Sequence, residues 1–311
     1  MKKLGQEAFG RSRRFLLHQA RPLERSLFQH RFEGASVEGV FTELARFQNP
    51  DGGFGHALEP DLRTPRSSAL ATGIGLRMLD ELGCRPDHPM VSKAVSYLLA
   101  TFEQDDRVWR VVPHDTDHHP HAPWWDNQKG SLAQVFDGFR IIPRALLVSL
   151  LHRYHSLVPP EWLASVTEET VHCIETEQVL GSGGGSDLEY AIHLAETPDL
   201  PQQYADRLRS RIRQVIPTVV VREPTQWGTY CLTPLRAVLA PQSLGADLIP
   251  DELQAHLDYE ILHQTAHGTW EPTWSWGGTY PEVWAQARLE WCGVLTLKTL
   301  TQLDAFGRIE P

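Results

Sequence analysis

The sequence lacks the features of disulfide-stabilised, zinc-ribbon and membrane-spanning proteins. Its 311 residues include four cysteines, and no two of them form a Cys-x-x-Cys pair. This spacing excludes zinc-ribbon and thioredoxin-type motifs, and four cysteines in so long a chain do not make a disulfide framework. Apolar runs such as Leu146–Val148 are far shorter than the roughly 20 residues of a membrane-spanning helix. The composition therefore predicts a globular protein without a transmembrane segment.

The sequence also has fewer basic than acidic residues. It contains 29 Lys and Arg residues and 39 Asp and Glu residues, which gives a formal net charge of −10. Such a chain is poorly suited to a phosphate backbone, so we expect no nucleic-acid partner. The first residues, MKKLGQEAFGRSRRFLL, contain charges but no apolar signal-peptide core. We expect a cytoplasmic protein with a small-molecule ligand. The sequence leaves its oligomeric state open.

Strand signals are missing, since the one β-branched run, Val219–Val221, is too short to found a sheet. Helical periodicity fills the chain instead, and it is of two alternating kinds. Amphipathic segments lie near 36–47, 90–103, 165–177 and 203–216, and segments that are apolar nearly all round lie near 67–82, 138–153 and 285–304. Two of the buried helices have start signals, a capping residue followed by proline at Thr64-Pro65 and at Thr233-Pro234.

Buried and amphipathic helices in alternation indicate two concentric layers. We therefore expect an all-α fold, an α/α toroid of about five to six helical hairpins with inner and outer layers. The whole chain, 1–311, is expected to form a single domain. An N-terminal helical segment over 1–33 would precede helical-hairpin repeats over 34–311.

One short motif occurs twice, in the form Gln-x3-Gly-x-aromatic. The first copy runs from Gln48 through Gly52 to Phe54, and the second from Gln264 through Gly268 to Trp270. Glycine permits a tight turn after a helix, and the aromatic ring seals that turn. The motif indicates a structural repeat.

This motif resembles the QW repeat of the terpenoid cyclase and protein prenyltransferase superfamily. The resemblance implies an α/α toroid with a central aromatic-lined cavity, in a prenyltransferase-like or terpene-cyclase-like protein that binds an apolar or isoprenoid-like ligand. The family's zinc ligands have no full counterpart, because the nearest match, Glu290-Trp291-Cys292, is followed by no histidine. The cyclase Asp-x-Asp-Asp motif is also incomplete, since Asp115-Thr116-Asp117-His118 lacks the last aspartate. Whether the protein is an enzyme stays open at this stage.

The densest group of chemically active residues is the His-rich loop, residues 113–126. Its four histidines and two aspartates over 114–121 are residue types that bind divalent metal ions. The candidate metal ligands are His114, His118, His119 and His121. Asp117 and His118 are candidate catalytic residues, and Trp124 and Trp125 are candidate ligand-binding residues. The alternative is a solvated loop with incidental metal affinity.

A second candidate site is the acidic loop, residues 55–64, directly before a buried helix. Glu59 and Asp61 are candidate catalytic acids or bases, and His56 and Arg63 are candidate ligand-binding residues that would orient them. The alternative is a loop braced by its own ion pair.

The third candidate site is the Trp-rich segment, residues 270–291, in which Trp276 and Tyr280 are candidate ligand-binding residues. They would form an aromatic wall for an isoprenoid or a sugar ring. The alternative is sealing of the core. Two other functions stay open, a carbohydrate-active hydrolase or lyase on the same fold and a non-catalytic binding or scaffold protein.

Overall fold

A computed structural model of the chain describes residues 1–132, 140–182 and 184–311. In these ranges the protein contains helices and isolated β-bridges but no strand, which confirms the all-α prediction. The twelve α-helices of the described ranges are α1 (Gln6–His18), α2 (Pro22–Glu33), α3 (Glu38–Leu44), α4 (Ala69–Glu81), α5 (Pro89–Thr101), α6 (Arg144–Arg153), α7 (Pro160–Thr176), α8 (Ser186–Ala195), α9 (Gln202–Val219), α10 (Pro234–Ala237), α11 (Pro250–Leu262) and α12 (Pro281–Ala305).

Proline defines where many of these helices begin. Helices α2, α5, α7, α10, α11 and α12 each start with a proline, whose missing N–H group would have no partner inside the helix anyway. The predicted start at Thr233-Pro234 is confirmed. The predicted start at Thr64-Pro65 is wrong, because α4 begins at Ala69, where the Ser68 side chain accepts a hydrogen bond from the Ala71 backbone N–H.

The chain divides into two compact units. The terminal unit contains residues 1–43 and 216–311, and the middle unit contains residues 44–215. The boundaries fall within α3 and within α9. The single domain over 1–311 stays a prediction.

The middle unit is organised around α6. Residues 144–152 of this helix are all buried, and α6 contacts α4, α7 and α8. The sequence predicts this helix as apolar nearly all round, and such a helix must be covered on most sides. Within this unit, α5 contacts α4 and α7 contacts α6. The inner and outer layers and their closure into a toroid stay a prediction.

Opposite charges hold two amphipathic helices of the middle unit together. Arg207 on α9 lies 2.6 Å from Glu175 and 3.0 Å from Glu168, both on α7. The opposite face of α9 buries Leu208 and Ile212. The apolar face supplies most of the stability, because partly exposed ion pairs each contribute only about 0–1 kcal/mol.

In the terminal unit, α1 and α2 pack against α12, and the two ends of the chain are joined. The Leu4 backbone N–H donates to the Arg308 carbonyl at 2.7 Å, and the Glu310 N–H donates to the Leu4 carbonyl at 3.0 Å. Arg308 is only 1% exposed, and its guanidinium pairs with Asp258 and donates to Gln254. No helix in the described ranges is both long and apolar enough to cross a membrane.

The first copy of the repeated motif ties its turn to two helices of the middle unit. The Gln48 side-chain amide donates to the carbonyls of Gly52 at 2.9 Å and Met90 at 3.0 Å. Gly52 adopts a left-handed conformation with φ 92°. The Phe54 N–H donates to the Thr72 hydroxyl on α4 at 2.9 Å, and the Phe54 ring is fully buried.

The second copy makes a similar set of contacts in the terminal unit. The Gln264 amide donates to the Ala8 carbonyl on α1 at 3.0 Å, and Gly268 has φ 83°. The Trp270 N–H donates to the Thr296 hydroxyl on α12 at 3.2 Å. The two copies therefore share one local geometry, in which a glutamine binds a helix backbone and an aromatic residue is anchored on a threonine. Membership in the toroid superfamily stays a prediction.

Candidate functional site

The structure brings the acidic loop and the His-rich loop together. Leu62 and His121 form an antiparallel bridge. The Arg63 N–H donates to the Pro120 carbonyl at 3.1 Å, and the Ala122 N–H donates to the Asp61 carbonyl at 2.9 Å. These loops are about sixty residues apart in sequence. Their residue types do not predict that they pair, because the pairing consists of backbone hydrogen bonds.

In the acidic loop the two candidate acids are buried. Glu59 is 7% exposed and Asp61 is 2% exposed. His56 has a left-handed backbone, and its Nε2–H donates to the Asn49 side-chain oxygen at 2.8 Å. Arg63 donates to the Pro60 carbonyl at 3.3 Å. The loop is thus held by hydrogen bonds to Asn49, within itself and to the His-rich loop, while the ion pair of the bracing interpretation stays a prediction.

The candidates in the His-rich loop differ in exposure. His114 and His118 are exposed, His119 is half-buried, and His121 is buried. Trp125 is 8% exposed, so it packs inward, and Trp124 is half-buried. Among the described residues, one group of ligand atoms in this loop is close enough to share an ion. It consists of Asp117, His121 and Asp126, whose ligand atoms all lie within 4.8 Å of one another.

A cleft of about 780 Å³, whose wall combines polar and apolar groups, opens in the middle unit beside this loop. Its wall includes Asp51 from the turn of the first motif copy, Tyr97 from α5, and His114 and Asp115 from the His-rich loop. Asp51 is held in place, because its Oδ1 accepts from the Ser67 hydroxyl at 2.7 Å and from the Gly53 N–H at 3.0 Å. The sequence predicts His114 as a site residue but does not single out Asp51 or Tyr97.

Two groups in the cleft have shifted ionisation. Burial, with a smaller contribution from the Asp51 carboxylate, raises the pKa of Tyr97 to about 12, so this phenol stays protonated. The hydrogen bond with Glu103 raises the pKa of Arg110, against the opposing effect of burial, so this guanidinium stays charged. The cleft therefore presents a hydroxyl donor and a cation beside its carboxylates.

Asp115 has an incomplete set of hydrogen bonds. Its Oδ2 lies 2.7 Å from the Arg66 guanidinium, in an ion pair. Its Oδ1 is buried and has no hydrogen-bond partner among the described residues. Buried polar atoms are nearly always paired, so this oxygen is an exception in the wall of the cleft.

The Trp-rich segment lies in the terminal unit and is mainly packed. Trp276 is fully buried, with its ring 5.6 Å from that of Trp284, and Trp274 packs edge-on against Trp291 at 5.1 Å. Tyr280 is 41% exposed and directly precedes α12. This packing favours the core-sealing role over an aromatic wall for a ligand.

An acid–base pair in the terminal unit, formed by a buried histidine and a half-buried glutamate, has no counterpart among the predicted sites. Nε2 of His256 lies 3.4 Å from Oε1 of Glu260 on the same helix, and neither ring nitrogen makes a hydrogen bond. Burial lowers the pKa of His256 to about 3. Burial also raises the pKa of Glu260 to about 7, despite the opposing charge of Lys298. The sequence does not reveal this pair, because a histidine and a glutamate four residues apart are common on amphipathic helices.

Comparison with known proteins assigns no family, because no protein-family model, no curated protein and no solved structure matches the chain. The function of the site has to be inferred from its geometry.

Proposed function

We propose that the cleft of the middle unit binds a hydroxylated, carbohydrate-like small molecule. The observation that carries this proposal is the meeting of Tyr97 and the carboxylates of Asp51, Glu103 and Asp115 in the wall of one cleft. Ligand hydroxyl groups can donate to these carboxylates and accept from the Tyr97 phenol.

The rest of the wall has the character of a sugar site. Sugars combine hydroxyl groups with apolar ring faces, which aromatic side chains cover. Tyr97 supplies such a ring together with a protonated hydroxyl, and Arg110, whose guanidinium is paired with Glu103, supplies a positive charge. The carboxylates of Asp51, Glu103 and Asp115 all belong to the same wall. Carbohydrate hydrolases commonly use two carboxyl groups, so this site has the groups that hydrolase or lyase chemistry needs.

The charged groups in this wall support the carbohydrate alternative better than the isoprenoid ligand implied by the QW-like motif. An isoprenoid chain contains no hydrogen-bond donors for the carboxylates, and it would separate these charged groups from water. The prenyltransferase-like or terpene-cyclase-like function therefore ranks second. A non-catalytic binding protein would use the same cleft without turnover.

The proposal is tested by ligand-detected NMR on the full chain, with monosaccharides, disaccharides and uronic acids as probes and farnesol as the isoprenoid probe. We expect binding of at least one saccharide and none of farnesol. Saccharides that bind are then incubated with the protein, and the products are analysed by mass spectrometry for hydrolysis or elimination.

Asp115→Asn and Tyr97→Phe remove one interacting group each with little change in volume. Loss of a hydrogen bond to a charged group is worth about 1.5–3 kcal/mol, so Asp115→Asn should weaken saccharide binding by roughly tenfold or more. Asp105→Asn is the matched control, since Asp105 is exposed and does not line the cleft. Farnesol binding in place of saccharides, or equal losses in Asp115→Asn and Asp105→Asn, would overturn the proposal.

A further inference from the structure

The His-rich loop brings three side chains that can bind a metal ion close together. Asp117 lies in the 3-10 turn Thr116–His118, and Asp126 directly follows the turn Pro123–Trp125. His121 lies between these two turns. The ligand atoms of Asp117, His121 and Asp126 are all within 4.8 Å of one another, so small side-chain movements would bring all three to ordinary distances from one ion, about 2.0–2.2 Å.

His121 has the hydrogen-bonding pattern of a metal-binding histidine. Its Nδ1 lies 2.7 Å from the His119 carbonyl, and since a carbonyl only accepts, Nδ1 carries the proton. The lone pair of the neutral ring is then on Nε2, the nitrogen 3.9 Å from Asp117 Oδ1. Histidines that bind metal ions almost always donate their other ring N–H to a carbonyl or carboxylate in this way.

The ring of His121 is also held rigidly. The residue is 7% exposed, and its backbone pairs with Leu62 of the acidic loop. The neighbouring Ala122 N–H donates to the Asp61 carbonyl at 2.9 Å. A ligand that is fixed before binding loses little conformational entropy when the ion arrives.

The two carboxylates are oriented by the backbone but not neutralised by it. Oδ1 of Asp117 accepts from the Asn127 N–H at 2.8 Å, and Oδ1 of Asp126 accepts from the Gln128 N–H at 3.1 Å. Among the side chains that the structure describes, no lysine or arginine forms an ion pair with either aspartate. Two like charges at this spacing repel each other, and a cation between them would remove the repulsion.

From these observations we propose that Asp117, His121 and Asp126 bind one divalent transition-metal ion of the zinc or manganese type. His121 would bind through Nε2, and each aspartate through a carboxylate oxygen. One imidazole and two carboxylates suit zinc and manganese, and three protein ligands leave further positions to water. The ion would also join the two turns of the His-rich loop that contain Asp117 and precede Asp126. This site differs from the four-histidine set predicted from the sequence, since it keeps His121 and replaces the other histidines with aspartates.

The experiment is calorimetric titration of the untagged full chain, stripped with a chelator, with Zn²⁺ and separately with Mn²⁺. We expect one ion per chain and a higher melting temperature with metal. Asp126→Asn is the main variant, because Asp126 is exposed and its replacement should leave the fold intact. This variant and Asp117→Asn should each weaken binding by roughly tenfold or more.

His114→Ala and His118→Ala are the matched controls, because both histidines are exposed in the same loop and lie outside the group. We expect their affinities to stay within about twofold of the original chain. If the controls weaken binding as much as Asp126→Asn, the result is an adventitious ion only, and the proposal fails. Binding of no ion by the original chain would also overturn it. Neither outcome depends on whether the cleft binds a saccharide.

Discussion

Replacing Gly268 with alanine should strongly destabilise the protein, because the second motif copy leaves no room for a side chain there. Gly268 has φ 83°, in the left-handed region. A Cβ at this position would lie 2.5 Å from the backbone nitrogen of Ser12 and 2.6 Å from Cβ of Arg11. Both atoms belong to α1, so the contact is with a helix backbone that cannot rotate away.

The magnitude follows from two separate costs. A left-handed conformation costs a residue with a Cβ about 1–2 kcal/mol relative to glycine. Forcing extra volume into a packed contact costs about 1–3 kcal/mol more. Gly268→Ala should therefore lower the free energy of unfolding by roughly 2–5 kcal/mol, a large part of the typical 5–15 kcal/mol.

Two further Gly→Ala variants in the same unit separate these costs. Gly277 has φ 60° with nothing within 4 Å of an added Cβ, so Gly277→Ala carries only the backbone cost of about 1–2 kcal/mol. Gly10 lies within α1 without a positive φ, and Gly10→Ala should stabilise by about 0.5–1 kcal/mol. Urea denaturation measures all three. Equal losses for Gly268→Ala and Gly277→Ala would refute the proposed clash with α1.

Three other outcomes are expected. Desolvation, only partly offset by the charge of Lys298, raises the pKa of Glu260 from 4.5 to about 7. Between these pH values the folded state binds more protons than the unfolded state, so the contribution of Glu260 to the free energy of unfolding falls as the pH rises. Glu260→Gln should therefore raise the melting temperature more at pH 8 than at pH 5, and equal shifts would contradict this. Phe54→Ala removes a fully buried ring and should lower the free energy of unfolding by about 3–5 kcal/mol, measured by urea denaturation. A loss below about 1 kcal/mol would show that the buried ring does not stabilise the turn. Arg308→Ala removes the buried guanidinium that pairs with Asp258 and should cost roughly 2–5 kcal/mol, whereas an unchanged midpoint would show that the joined chain ends add no stability.

Most helices could be predicted from hydrophobic periodicity and capping residues, because these patterns involve residues close together in the chain. The segment predicted as buried near 138–153 contains α6, whose residues 144–152 are all buried. Prolines predicted the start of α10 correctly. The start of α4 was misplaced, since Thr64-Pro65 has the same signature as a cap, and the hydroxyl that does cap the helix belongs to Ser68.

The candidate sites were predicted only in part. The His-rich loop contains both His114 of the cleft wall and His121 of the metal group, so its composition marks the region of both proposed sites. The composition did not distinguish His121 from its neighbours, because all of these histidines are chemically alike. Their difference lies in burial and in the partner of Nδ1, and both depend on the fold.

The sequence alone therefore determined the all-α class, most helix positions and the repeated glutamine–glycine–aromatic turn, since each depends on periodicity or on residues close together in the chain. Tertiary structure decided which loops meet. The Ala122 N–H and the Asp61 carbonyl join the two loops through backbone groups, which carry no sequence signal. Tyr97 reaches the cleft from α5, whereas Asp51 lies in the turn of the first motif copy. Contacts of this kind depend on packing between distant segments, so they exist only once the chain has folded.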